Sequence, residues 1–138
     1  MAIIYHPNKK IFTLHTAHTT YQMQVDTLGY LLHLYYGEKT NSSMDYVLTY
    51  ADRGFSGNPY AAGMDRTYSL DALPQEYPSL GTGDYRNIAL NIKNEKGVES
   101  ADLLFKSYEI RSGKYQLQGL PAVWADENEA QTLSLIHI

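Results

Sequence analysis

Five carboxylates, Asp52, Asp65, Asp71, Glu76 and Asp84, fall within one stretch of the chain, residues 50–86. Two carboxylates facing each other across a bond can act as acid and nucleophile, so this stretch is the first place to look for chemistry. Each has a competing structural use. Asp71 and Asp84 stand where turn-capping residues stand. Asp52 precedes Arg53 and Asp84 lies two before Arg86, and a neighbouring guanidinium lowers a carboxyl pKa, whereas a general acid needs it raised. The triplet Arg53-Gly54-Phe55 is better suited to binding than to bond breaking. A planar guanidinium fork reads paired hydroxyls or a carboxylate, glycine lets the backbone approach a ligand, and an aromatic ring can cover the apolar face of a sugar. The competing use is internal, with Arg53 and Phe55 anchoring their own loop.

Other catalytic classes fall away on residue types. The chain has no cysteine, no Gly-x-Ser-x-Gly elbow and no phosphate-binding glycine loop. His15 and His18 could pinch a metal only on a helix, their surroundings read as a strand end and turn, and no third ligand stands nearby; both read as solvated or hydrogen-bonded. His33 sits in an apolar run and reads as a satisfied sheet-face histidine. No metal or cofactor is implied.

The chain of 138 residues with net charge -4 is sized for one domain, and its scattered basic residues give no footing for nucleic acid. The N-terminus lacks a cationic start followed by an apolar run, and no apolar stretch reaches the roughly twenty residues a membrane helix requires. With no cysteine, the expected compartment is cytoplasmic.

The elements around the stretch alternate as short strands. Residues 3–5 form a strand candidate ended by Pro7-Asn8. Residues 11–16 and 20–25 alternate, the second placing Tyr21, Met23 and Val25 on one face and two glutamines opposite. Residues 30–36 are apolar on both faces, as in a central strand covered on each side. Beyond residue 86, residues 88–93 alternate, Asn94-Glu95-Lys96-Gly97 marks a turn, and residues 103–110 are the next strand, which predicts a second hairpin. A turn at 111–114 and a short segment at 115–117 follow. The class is all-β, an antiparallel sandwich. The stretch 50–86 itself holds five glycines, three prolines and a dense set of tyrosines, with no sustained period. Linkers are poor in aromatics, so this is expected to be an ordered loop packed on something, and long ordered loops usually carry function.

Several blocks, in this order and spacing, resemble the amino-terminal region of glycoside hydrolase family 36, the bacterial α-galactosidases. They are Phe12-Thr13-Leu14-His15-Thr16 with Thr20-Tyr21-Gln22-Met23, Leu32-His33-Leu34-Tyr35-Tyr36-Gly37, Asp52-Arg53-Gly54-Phe55-Ser56-Gly57-Asn58-Pro59, Ser69-Leu70-Asp71-Ala72-Leu73-Pro74-Gln75-Glu76-Tyr77-Pro78, Gly81-Thr82-Gly83-Asp84-Tyr85-Arg86 and Gly119-Leu120-Pro121 before Glu129 to Leu133. The resemblance implies a large β-supersandwich, here incomplete over residues 1–133, that precedes a catalytic barrel holding two aspartates. It implies retaining hydrolysis of terminal α-galactosyl groups, as in melibiose and raffinose, without a metal. It also implies a homo-oligomer, a tetramer, in which this domain sends a loop toward a neighbouring subunit's active-site mouth. Asp52, Arg53 and Phe55 match that loop as substrate-binding residues, and no residue of the chain is assigned as catalytic. The alternative from another class is a stand-alone carbohydrate-binding β-sandwich module. The final run Leu133-Ser134-Leu135-Ile136-His137-Ile138 resembles the in-frame translation of a transposon adapter used in sequencing libraries, so residues 134–138 are expected to be a foreign tail.

Overall fold

The structure is a computed structural model that describes residues 2–54, 57–115, 118–119 and 130–137. Four strands, β1 (Ala2–His6), β2 (Ile11–His15), β3 (Thr19–Val25) and β4 (Leu31–Glu38), run antiparallel in chain order. Short links explain that order, since consecutive antiparallel strands need only a tight turn. Register follows the apolar face: Phe12 lies opposite both Tyr5 and Met23, and Leu14 opposite Ile3 and Tyr21. A one-residue slip would turn every one of these side chains to the other face. The pairing of β3 with β4 breaks register between Gln22 and Met23, where Tyr35 and then His33 oppose them and Leu34 is left over. Such a bulge is a local bend.

A second, two-stranded sheet, β5 (Phe105–Ser112) with β6 (Gln131–His137), lies against that face. Between the sheets sit Phe12, Met23, Val25 and Leu31, with Phe105, Leu133 and Leu135 packed against them. The Tyr108 ring meets Phe12 edge-on at 5.1 Å and Tyr5 at 4.5 Å. The protein is all-β with antiparallel sheets, as the alternation predicts.

Two expectations, a strand at 88–93 and a central place for residues 30–36, differ in detail. Residues 88–93 form no strand and make no hairpin with the next one; Leu90 makes a single bridge to Ser79, and Ile92 is exposed. Alternation alone gives a strand no partner, and β5 pairs instead with β6. The turn at 94–97 is present: Gly97 adopts φ 77°, and the Asn94 side chain accepts from the amides of Lys96 and Val98. The glutamine face of β3 is not left to solvent, because Gln22 is buried beneath residues 40–44, donating to the Ser42 carbonyl and accepting from the Met44 amide. Strand β4 is the last in its sheet, yet residues 74–76 run along its open edge, with His33 N donating to Pro74 O and Glu76 N to Leu31 O. Its two-sided apolar character reflects two cores, Leu31 packing in the one between the sheets and Leu32 joining Tyr68, Leu70 and Leu73 in the other. Residues 134–137, expected to be foreign, lie within β6, and the segment 115–117 falls mostly outside the described residues.

Candidate functional site

The stretch 50–86 divides into two lobes that share composition and differ in burial. In residues 52–66, Asp52 accepts from the Gly54 amide at 2.8 Å, the short aspartate turn its sequence favours. Its carboxylate pairs with Arg66 at 3.3 Å, not with the adjacent Arg53 as its position suggests. Asn58 closes the lobe by donating to the carbonyls of Gly63 and Asp65, both at 3.2 Å. A 3-10 turn, Tyr60–Ala62, follows Pro59. Around this frame the surface is apolar and open, with Tyr60 and Met64 almost wholly exposed. Asp52 and Arg53 are also exposed. Phe55, the third residue expected to bind substrate, lies outside the described residues.

Residues 68–76 are built in the opposite way. Tyr68, Leu70 and Leu73 join Tyr30 and Leu32 in a second apolar core. Burial of each such side chain is worth about 1.5–3 kcal/mol. The polar end of Tyr68 is satisfied by the buried carboxylate of Asp26, which also accepts from the amides of Leu28 and Tyr30 at 2.9 Å. Burial first, and then this carboxylate, push the Tyr68 hydroxyl pKa far up, so it remains a donor.

Between the lobes and the core stands a polar knot. The Asp84 side chain is wholly buried and accepts from Arg86 Nε at 2.9 Å, Arg86 Nη2 at 2.7 Å and Gln75 Nε2 at 2.8 Å. The same Arg86 nitrogen Nη2 donates to the carbonyls of Leu70 and Leu73, each at 2.7 Å. Burial alone would raise the Asp84 pKa, but the hydrogen bonds and charge of Arg86 outweigh it and hold the carboxyl below its ordinary value. Asp65 is likewise lowered by its bonds to the Thr67 hydroxyl and amide. Neither is disposed to donate a proton, in keeping with the sequence argument against a general acid here.

One constellation escapes sequence reasoning. Glu76, placed by its pairing along β4, accepts from the Tyr21 hydroxyl and lies 3.0 Å from His33 Nδ1. The Tyr21 and His33 rings meet edge-on at 5.2 Å. The signal available was a histidine inside an apolar strand, which called for a partner without saying which one. His15 is satisfied by Thr20 at 2.9 Å. A cleft of about 520 Å³ opens on the other side of the first sheet, lined by Ile4, His6, Lys9, Ile11 and His15 among others; none of the described residues of 50–86 lines it.

The glycosyl hydrolase family 36 N-terminal domain matches residues 29–137. The chain belongs to that family. Over 136 residues it is 94% identical to the bifunctional alpha-galactosidase/sucrose kinase AgaSK of Mediterraneibacter gnavus, covering 99% of this chain and 14% of that protein. It is 39% identical over 138 residues to alpha-galactosidase AgaA of Geobacillus stearothermophilus, covering 99% of this chain and 19% of that one. Among solved structures, the galactosidase domain of AgaSK superposes with a TM-score of 0.94 at 93% identity, over 99% of this chain and 19% of that chain. The family 36 alpha-galactosidase AgaB from Geobacillus stearothermophilus superposes with a TM-score of 0.88 at 41% identity, over 99% of this chain and 18% of that chain. This family 36 domain thus spans less than a fifth of the proteins it matches.

Proposed function

We propose that this family 36 domain belongs to a retaining α-galactosidase that cleaves terminal α-galactosyl groups from oligosaccharides such as melibiose and raffinose, and that the domain itself is non-catalytic. AgaA has been crystallised with raffinose and, in another variant, with stachyose. The observation that carries the non-catalytic role is the state of the carboxylates: Asp52, Asp65, Glu76 and Asp84 are each engaged by turn amides, hydroxyls, histidine or arginine. Asp65 and Asp84 are held below the ordinary carboxyl pKa, and the hydrogen bonds of Asp52 and Glu76 fix their carboxylates within the domain.

The exposed lobe has the complementary task. Asp52, Arg53 and Phe55 contribute to the sugar-binding mouth of a neighbouring subunit in a homo-oligomer, a tetramer, working in the cytoplasm. Fully exposed Tyr60 and Met64 beside an ordered turn support a lobe that meets another surface. Residues 134–138 stand as a foreign tail. The buried His137 Nε2, which has no hydrogen-bond partner among the described residues, supports that reading, because native segments rarely leave one.

Two samples assayed on an aryl α-galactoside test the proposal. The 138-residue chain alone is expected to give no turnover above buffer. Grafted in place of the corresponding segment of the full-length Mediterraneibacter gnavus enzyme, it is expected to support ordinary activity. Turnover by the chain alone that disappears on changing Asp52, Glu76 or Asp84 to the amide would overturn the non-catalytic role.

A further inference from the structure

Gly57, four residues after Arg53, lies backbone to backbone against Gly83. A Cβ added to Gly83 would come within 3.1 Å of the Gly57 carbonyl oxygen and 3.2 Å of its carbonyl carbon. Those are backbone atoms, which cannot swing aside as the end of a side chain can. Gly83 also sits at φ 89°, where a side chain is strained. The next residue is Asp84, whose buried carboxylate is fixed by the Arg86 fork and Gln75. Arg86 in turn is held by the carbonyls of Leu70 and Leu73, two residues of the second core. From the far side the Ser69 hydroxyl reaches the same Gly57 carbonyl at 3.4 Å. A rigid path therefore runs from the apolar core through Arg86 and Asp84 to Gly83, and from there by direct contact to the exposed lobe.

We infer that Gly83, Asp84 and Arg86 are positioning residues: they set where the Arg53 segment stands by giving Gly57 a fixed seat. This rests on the proposed role of Arg53 at a substrate mouth and extends it to residues that touch no substrate. The bidentate geometry explains why arginine is needed at position 86, since a lysine offers a point charge and could not bind both carboxylate oxygens and two carbonyls in one plane. The close approach and the positive φ explain why glycine is needed at 83.

The test uses the full-length grafted enzyme and three variants. Gly83→Ala adds the clashing methyl. Gly97→Ala is its control, because Gly97 has a similar φ of 77° and its added Cβ would meet only the Lys93 side chain, at 3.6 Å. Arg86→Lys keeps the charge and loses the fork, and it carries the same measurements if Gly83→Ala does not fold. Two quantities are read: KM for raffinose beside kcat on a small aryl galactoside, and the rate of trypsin cleavage after Arg53. Gly83→Ala and Arg86→Lys are expected to raise the raffinose KM by about two- to tenfold, the span of one ordinary hydrogen bond, with kcat on the aryl substrate unchanged. Cleavage after Arg53 accelerates in both. Gly97→Ala should shift neither quantity. If Gly83→Ala behaves as Gly97→Ala does in both readings, the inference is overturned. Should Arg53→Ala itself leave the raffinose KM unchanged, the substrate role of Arg53 fails, and trypsin then decides the positioning alone: faster cleavage after Arg53 upholds it, an unchanged rate defeats it.

Discussion

Residues 52–66 and 68–76 are neighbours in sequence, alike in tyrosine and polar content, and opposite in fate. Tyr68 is 4% exposed and hydrogen-bonded to a buried aspartate, while Tyr60 is completely exposed. The second lobe is finished within the domain: its apolar side chains fill a core, its edge extends a sheet and its polar atoms are satisfied. The first lobe is finished only in its backbone, which Asp52, Arg66 and Asn58 hold closed while Tyr60 and Met64 face outward. A side chain's type sets what it can bury or bond. Whether it does so depends on which surface the chain brings to it.

The largest effects should separate the lobes by stability. Leu70→Ala or Leu73→Ala removes a fully buried side chain from the second core and is expected to cost about 2–5 kcal/mol, whereas Tyr60→Ala, on an exposed turn, should stay within about 0.5 kcal/mol. Urea unfolding of the full-length enzyme and its variants, followed on the domain's own transition, checks both. Comparable losses at positions 70 and 60 would erase the distinction between the lobes. Next in size is Tyr68→Phe, which strips one of three donors from Asp26 and is expected to cost about 1–3 kcal/mol, the range for leaving a buried acceptor short.

A smaller, pH-dependent effect belongs to the knot. The Asp84 pKa is lowered in the folded protein, so the unfolded chain binds the proton more readily. Its contribution to stability is therefore complete above the ordinary aspartate pKa of about 3.9 and is lost as pH falls below that value through the depressed folded one. Arg86→Gln should flatten the acid side of the stability curve in that window, and an unchanged acid limb would contradict the knot. Smallest is the pair of Lys9 and Asp45, 2.7 Å apart but partly exposed, where Lys9→Ala should cost no more than about 1 kcal/mol.

Much of the scaffold is legible in the amino-acid order, for reasons that particular residues make plain. Strands β1 to β4 announce themselves because Phe12, Leu14, Met23 and Val25 recur at period two between turn residues, and one face of the sheet is buried. The alternation at 88–93 is equally regular and misleads, since Ile88, Leu90 and Ile92 find no neighbouring strand among the described residues. Pairing is a long-range property, and β5 takes its partner from residues 131–137. Asp84 could be read as a turn residue held by Arg86 because the two are only two positions apart. The Tyr21, Glu76 and His33 group could not, because Glu76 lies 55 residues from Tyr21 and 43 from His33. Composition also told nothing about which tyrosines of 50–86 would be buried, since that depends on the Asp26 and Leu32 surface that only folding supplies.

The role of the open lobe is tested most directly by Arg53→Ala and Phe55→Ala in the full-length enzyme, comparing raffinose with a small aryl galactoside alongside size-exclusion chromatography. If these side chains contact the part of the substrate beyond the terminal galactose, KM for raffinose rises while kcat on the aryl substrate changes little, because the lost contact is made in ground and transition states alike. The oligomer stays at its original size. Dissociation to smaller species, with an equal loss of activity on both substrates, would contradict this and leave the lobe as a subunit fastening alone.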